Sequence, residues 1–172
     1  MRTALLDTPI GTLNIGATAR GLRLVQFPRD TERDEPFATS DETRKPDHTA
    51  QAQLDEALLQ LTEYFAGSRT QFDVALDWYG VSGLRLTVLK LLAEVPFGST
   101  VTYGDLAKGS GAGVTASQAV GGIMGSNPLP IVVPCHRVLA ADGLGGFGGG
   151  LRTKEWLLAW EGVMAPALDW DF

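Results

Sequence analysis

The sequence predicts an α+β protein in two parts, an α/β unit over residues 1–77 and a mainly helical unit over residues 78–172. Two observations predict it. Short extended segments punctuated by Pro9, Gly11, Gly16 and Gly21 fill residues 2–27. From Ser82 onward, apolar residues recur at three- and four-residue spacing between helix start and stop signals.

Taken in order, Arg2 to Leu6, Thr12 to Ile15 and Leu22 to Phe27 read as a three-strand meander with turns at the intervening Pro and Gly residues. Residues 28–46 are charged, proline-punctuated and poor in large apolar side chains, which predicts a long surface loop. Asp47 is suited to cap a helix whose Leu54, Leu58, Leu61 and Phe65 share one face, ended by Gly67. Phe72, Val74 and Leu76 then alternate as a strand.

Ser82 opens a second helix carrying Leu84, Val88, Leu89, Leu91 and Leu92, stopped by Pro96 and Gly98. Thr102 is expected to cap a short helix through Ala107, and Thr115 a longer one through Met124, a spacing like that of a helix-turn-helix. The second of these is built from Ala116, Ser117, Ala119, Gly121 and Gly122. Such small residues cost helix propensity and permit close approach, either of a packed neighbour or of a nucleic-acid groove.

Composition narrows the function. Of 172 residues, 44% are hydrophobic and 20% charged, with 20 acidic against 14 basic side chains for a net charge of -6. That balance argues against a binder driven mainly by phosphate neutralisation. The acidity is concentrated early, with 13 acidic and 8 basic residues up to Tyr79 and 7 and 6 beyond it. No apolar run is long enough to span a bilayer and the N-terminus lacks a signal-peptide pattern, so a cytoplasmic protein without membrane association is expected. One cysteine excludes an internal disulfide, and with two distant histidines it cannot build a thiolate-rich zinc site, so no metal is expected.

The single cysteine, Cys135, ends an apolar run bracketed by Pro128, Pro130 and Pro134. A lone buried cysteine is an inert small hydrophobe unless a neighbour activates it, and His136 is the candidate. Adjacent residues of an extended chain face opposite ways, so the pair needs a backbone turn or a bridging water. A carboxylate should orient the imidazole; the helix beginning near Lys154 offers Glu155 and Glu161, and periodicity does not choose between them. Between cysteine and helix, six of the eight residues after Asp142 are glycine. Lacking a phosphate-loop or dinucleotide pattern, this segment reads as a linker or as backbone amides laid against a planar ligand.

Asn127-Pro128, Pro134-Cys135-His136-Arg137-Val138, the glycine loop and Lys154-Glu155-Trp156-Leu157-Leu158 with Glu161-Gly162 together resemble the O6-alkylguanine-DNA alkyltransferase family. Val95 to Ala107 and Ala119 to Met124 lie in the family's order and near its spacing, so the resemblance runs from about Leu84 to Gly162. It implies a ribonuclease-H-like domain over residues 1–77 and a winged-helix-like DNA-binding and active-site domain over 78–172. It implies a monomer that flips an alkylated guanine from double-stranded DNA through the minor groove and moves the alkyl group irreversibly to Cys135, without a cofactor. Carried over by motif, His136 is the water-mediated base, Glu161 orients it, Asn127 braces the network and Tyr103 assists departure of guanine. Val138, Phe147 and Gly148 line the substrate, while Thr115, Ala116, Ser117, Gln118, Gly121 and Arg137 meet DNA.

The chain departs from the family pattern at several points. Gln118 stands where an arginine finger is usual, Leu84 where an aromatic is usual, Phe147 where a tyrosine is usual and Gly148 where a small polar residue is usual, and the glycine loop is one residue short. Glutamine lacks the charge and planar stacking surface of arginine. Gln118 and the acidic balance motivate one alternative, a lesion-binding protein like the non-repairing alkyltransferase-like proteins, although those typically lack the cysteine. A thiol hydrolase or peroxidase is a third reading, without an oxyanion-hole motif or resolving cysteine to support it.

Overall fold

Three strands, β1 (Arg2–Thr8), β2 (Gly11–Thr18) and β3 (Gly21–Gln26), form the antiparallel meander, in the order β1-β2-β3. The computed structural model describes residues 1–27 and 47–167; the loop expected over 28–46 lies outside them. Two compact units emerge, Met1–Asp77 and Trp78–Phe172.

In the first unit, Thr8 pairs with Gly11 across the β1-β2 turn, and the Thr8 hydroxyl donates to the Gly11 carbonyl at 2.6 Å. Leu13, Ile15 and Ala17 alternate inward along β2 and are fully buried. Against them packs α1 (His48–Phe65), through Leu54, Ala57, Leu61 and Tyr64. Asp47 caps this helix by accepting from the Ala50 amide at 3.0 Å.

The strand expected over Phe72, Val74 and Leu76 is reduced to a single parallel bridge between Leu22 and Leu76. Its alternation survives, but its backbone is engaged differently: the Asp73 amide donates to the Gln60 side chain at 2.8 Å, and only Ala75 and Asp77 bond Leu22. Close approach explains Gly21, where a Cβ would sit 2.2 Å from the Ala75 carbonyl oxygen. The unit closes on buried Asp77, which accepts from Thr18, Arg20 and Arg23.

The second unit opens with α2 (Gly83–Ala93), whose Val88, Leu89 and Leu92 are buried. Leu84 stays exposed, and Ser82 precedes the helix without a side-chain cap. Next come β4 (Val101–Thr102) and α3 (Tyr103–Gly109), where Thr102 and Asp105 form a reciprocal capping box. Thr115 does not cap the following helix as expected. A short 3-10 turn, Val114–Ala116, intervenes after Gly113 and leads into α4 (Ser117–Gly125), with the Ser117 hydroxyl returned to the Val114 carbonyl. Helices α2, α3 and α4 pack on one another in the helix-turn-helix manner.

The remaining elements serve the cysteine. β5 (Val138–Leu139) pairs in parallel with β4, tying the chain just after the cysteine to the start of α3. α5 (Leu151–Trp160) presents Thr153, Lys154, Leu157 and Leu158 inward, with Glu161 buried just beyond its last turn. Among the described residues, no helix is long and apolar enough to cross a membrane.

Candidate active site

The segment from Asn127 to Val138 is held by its own side chains. Asn127 accepts from the Leu129 amide at 3.0 Å through its carbonyl oxygen and donates to the Val133 carbonyl at 2.8 Å through its amide. Between them Ile131 adopts a φ of 74°, the one non-glycine residue with positive φ among the described residues. A β-branched side chain is strained there, so the bracket and complete burial must hold it. Pro134 then starts a 3-10 turn over Cys135–Arg137, closed by the Arg137 amide on the Pro134 carbonyl at 2.9 Å. The chain therefore turns at the cysteine instead of running extended.

Cys135 is buried, and burial pushes its thiol up to about 11. Opposing that, the polar Asn127 side chain, the backbone at Cys135 and His136 and the nearby Lys154 charge favour the thiolate. A free thiol is thus the resting form at neutral pH.

Glu161, not Glu155, is the carboxylate on the imidazole: its Oε1 lies 2.7 Å from His136 Nε2, with both side chains fully buried. Arg137 holds the same carboxylate bidentately, Nε to Oε2 at 2.8 Å and Nη2 to Oε1 at 2.8 Å. The Gly98 amide adds a fourth donor at 3.2 Å. Although burial opposes ionisation, these partners hold the Glu161 carboxyl down at about 2. Burial, with Arg137 and Lys154 adding to it, keeps the His136 imidazole below its usual value despite the pull of Glu161. An ionised Glu161 requires Nε2 to donate, which leaves Nδ1 as a lone-pair acceptor; that atom is buried with no hydrogen-bond partner among the described residues.

Arg137, expected at the DNA surface, is corrected by this geometry. It is 5% exposed, and its remaining Nη1 donates to the Val95 carbonyl while Phe97 lies 6.0 Å from the guanidinium. Burial and its hydrogen bonds to Glu161 and Val95 hold the guanidinium inside the unit, away from any phosphate.

Lys154, unlike Arg137, has no role expected from the sequence. Its side chain is fully buried and the ammonium donates to Val138 O at 2.6 Å, to Gly146 O at 3.2 Å and to Leu144 O. Burial brings its pKa down to about 8. The glycine loop has few side chains to hold it, and this ammonium ties it to the chain beside the cysteine. Tyr103 joins the clasp, its hydroxyl donating to Gly146 O at 3.4 Å. At Gly145, with φ +71°, a Cβ would come within 2.9 Å of that tyrosine ring. Burial raises the Tyr103 phenol above its usual value, keeping it a donor.

Phe147 is half-buried and Gly148 exposed on this loop. Thr115 and Gln118 are exposed, and Ala116, Ser117 and Gly121 half-buried, around the start of α4. A Cβ added at Gly121, Gly122 or Gly125 would meet nothing within 4 Å. Their smallness therefore does not serve packing within this unit, and the helix keeps a shallow, open face. Among the described residues, no three His, Cys, Asp or Glu side chains gather into a metal-binding group.

Two family models match the chain: the ribonuclease-like domain of 6-O-methylguanine DNA methyltransferase over residues 1–78, and the DNA binding domain of the same family over residues 84–163. A methylated-DNA-protein-cysteine methyltransferase of Mycobacterium tuberculosis is 39% identical over 166 residues, spanning 94% of this chain and 93% of the relative. The protein of that name from Mus musculus is 35% identical over 175 residues, spanning 95% and 82%. Among solved structures, Mycobacterium tuberculosis OGT in complex with DNA superposes with a TM-score of 0.74 at 36% identity, covering 95% of this chain and 94% of that one.

Proposed function

Because the chain belongs to the 6-O-methylguanine DNA methyltransferase family, we propose that it repairs O6-alkylguanine in DNA by moving the alkyl group onto Cys135, once per molecule. The observation that carries this reading is the buried Cys135 thiol followed by His136, whose Nε2 is fixed on Glu161 and whose Nδ1 is unpartnered. The relatives named for methyl transfer span nearly the whole chain, and this chain keeps its cysteine, so the lesion-binding alternative is not favoured.

The reaction follows from the acid-base states. The thiol is too weak an acid to ionise alone, and the neutral imidazole accepts its proton at Nδ1 through one water. The sulfur attacks the alkyl carbon, the C–S bond forms as the C–O6 bond breaks, and the electron pair returns to guanine. Guanine regains a proton at the base, so the proton lost by the thiol is balanced by the one gained. The fixed Glu161 carboxylate holds the imidazole with Nε2 protonated and offsets part of the charge of the transient imidazolium. Tyr103 favours guanine departure by hydrogen-bonding its N3, and the Cys135 and Val138 carbonyls read the exocyclic amine. Each carbonyl has a lone pair left, since the Val138 amide and Lys154 take one apiece. Phe147 stacks on the extruded base and the Gly148 amide meets O6.

DNA is met through the minor groove by Thr115, Ala116, Ser117, Gln118 and Gly121, whose shallow face admits close approach of a backbone. The second unit has few basic groups for phosphates, so groove fit and the flipped base carry more of the binding than charge does. Action as a cytoplasmic monomer belongs to the same proposal. Gln118→Arg is expected to tighten binding to duplex carrying the lesion and to speed transfer severalfold, by filling the gap left by the extruded base; fluorescence anisotropy and quenched-flow transfer assays measure both.

The direct test is intact-protein and peptide mass spectrometry after mixing with an oligonucleotide containing O6-methylguanine. One methyl on the Cys135 peptide, none in Cys135→Ser, and no second turnover are expected. Binding without modification would favour a lesion sensor instead.

A further inference from the structure

Arg137 is a buried charged group with no step in the reaction. It shares Glu161 with His136: each carboxylate oxygen receives a guanidinium nitrogen, and Oε1 also faces Nε2 of the imidazole. The guanidinium is itself fixed from behind by the Val95 carbonyl and the Phe97 ring. Nothing about this arrangement is exposed.

Counting charge gives the arrangement a purpose. Arg137 and Glu161 neutralise one another, so a neutral imidazole leaves the buried group balanced, whereas an imidazolium would add an uncompensated charge in low dielectric. The Lys154 ammonium acts on the histidine in the same sense as Arg137, and the neighbouring Cys135 thiol, uncharged at neutral pH, offers no compensating charge. Burial alone already opposes an imidazolium; without Arg137 the pull of the Glu161 carboxylate would be less opposed, and the imidazole would take a proton at a higher pH than in wild type. A proton resting on Nδ1 would then occupy the only site able to take one from the thiol.

Resting on the alkyl-transfer reading above, we infer that Arg137 is a positioning residue of the reaction: by gripping both oxygens of Glu161 it aims Oε1 at Nε2 and keeps His136 an uncharged base with Nδ1 open. Its role is exerted through Glu161 and not on the substrate.

The test compares wild type with Arg137→Met, which keeps a flexible apolar stem, and Arg137→Lys, which keeps the charge and loses the two-point grip. The imidazole nitrogens are titrated by NMR. Only two histidines are present, His48 and His136, so the ring signals are few enough to assign. In wild type, His136 should remain neutral down to below its ordinary value of 6.5. In Arg137→Met it should titrate above that value, with Arg137→Lys between the two. Alkyl transfer by Arg137→Met should be about tenfold slower than wild type at neutral pH and return to within about threefold at about pH 9, where the imidazole is again neutral.

An unshifted His136 titration in folded Arg137→Met overturns the inference; if that variant does not fold, wild-type titration together with wild-type transfer in Arg137→Lys overturns it, because the two-point grip would then do nothing. A rate deficit that is the same at every pH also overturns it, because loss of packing alone would not follow the imidazole. The titration needs no activity, so failure of wild type to take up the alkyl group would sink the functional reading and leave this result separately legible.

Discussion

Glu161→Gln is expected to destabilise the second unit by about 3–5 kcal/mol and to slow alkyl transfer by about 100-fold or more. The carboxylate accepts from His136, Arg137 and Gly98 in a buried site, and the amide replaces two charge-assisted acceptors with one neutral one. Arg137 is then left buried with its charge uncompensated, the costly half of breaking an ion pair. All four tryptophans follow residue 77, so tryptophan fluorescence during urea unfolding reads this unit directly. An unchanged midpoint would mean that Arg137 finds another acceptor.

The same carboxylate gives the protein an acid limit. Its folded pKa lies at about 2, below the ordinary 4.5, so the unfolded chain binds the proton first as pH falls. The stability it contributes is complete above about pH 4.5 and is lost between there and about pH 2. His136 acts with the same sign at milder acidity, because the folded protein resists protonating it below 6.5. Wild type should therefore lose stability on acidification more steeply than Glu161→Gln, which starts lower and has no carboxyl there to protonate.

Lys154→Met should cost about 2–4 kcal/mol and slow transfer by about 10–100-fold, with less effect on DNA affinity. Three backbone carbonyls, Val138, Leu144 and Gly146, lose their common donor, and two of them belong to a glycine loop that little else holds. On the proposed reaction this loop carries the surfaces that receive guanine, and a displacement of about 1 Å is enough to spoil alignment for attack. Hydrogen exchange at the amides of residues 143–150 should rise in the variant at sub-global unfolding cost. Unchanged exchange with slowed transfer would assign Lys154 instead to the charge felt by the Cys135 sulfur.

Much of this architecture is legible from local chemistry. The helix caps at Asp47 and Thr102 and the meander turns are decided within a few residues, and the structure keeps them. Thr115 misled because Gly113, at φ 78°, redirects the chain into a 3-10 turn before α4 begins. The strand over residues 72–76 kept its alternation and lost its pairing because a helix side chain, Gln60, took one of its backbone donors. That contact is tertiary and has no signature in the segment itself.

For the site, cysteine and histidine announce themselves as rare residues, whereas Arg137 and Lys154 read as surface charges. A signal did exist in α5. Residues 153, 154, 157, 158 and 161 form one helical stripe, so Lys154 and Glu161 share the face of Leu157 and Leu158, and Glu155 lies off it. A charge on an apolar stripe is the mark of a buried partner. Which partner it meets depends on the turn at Cys135 and on β5, which no spacing within the helix encodes.

Burial of the cysteine has a consequence for how long an unused molecule lasts. A protein consumed by a single event has no way to recover from an accidental one. Burial pushes the thiol of Cys135 up to about 11, so it rests protonated at neutral pH. Peroxides, disulfides and small electrophiles react with the thiolate and need access, and both are withheld here. Reactivity is deferred until a fitting base brings its own electrophilic carbon to the sulfur, so storage and selectivity come from the same desolvation.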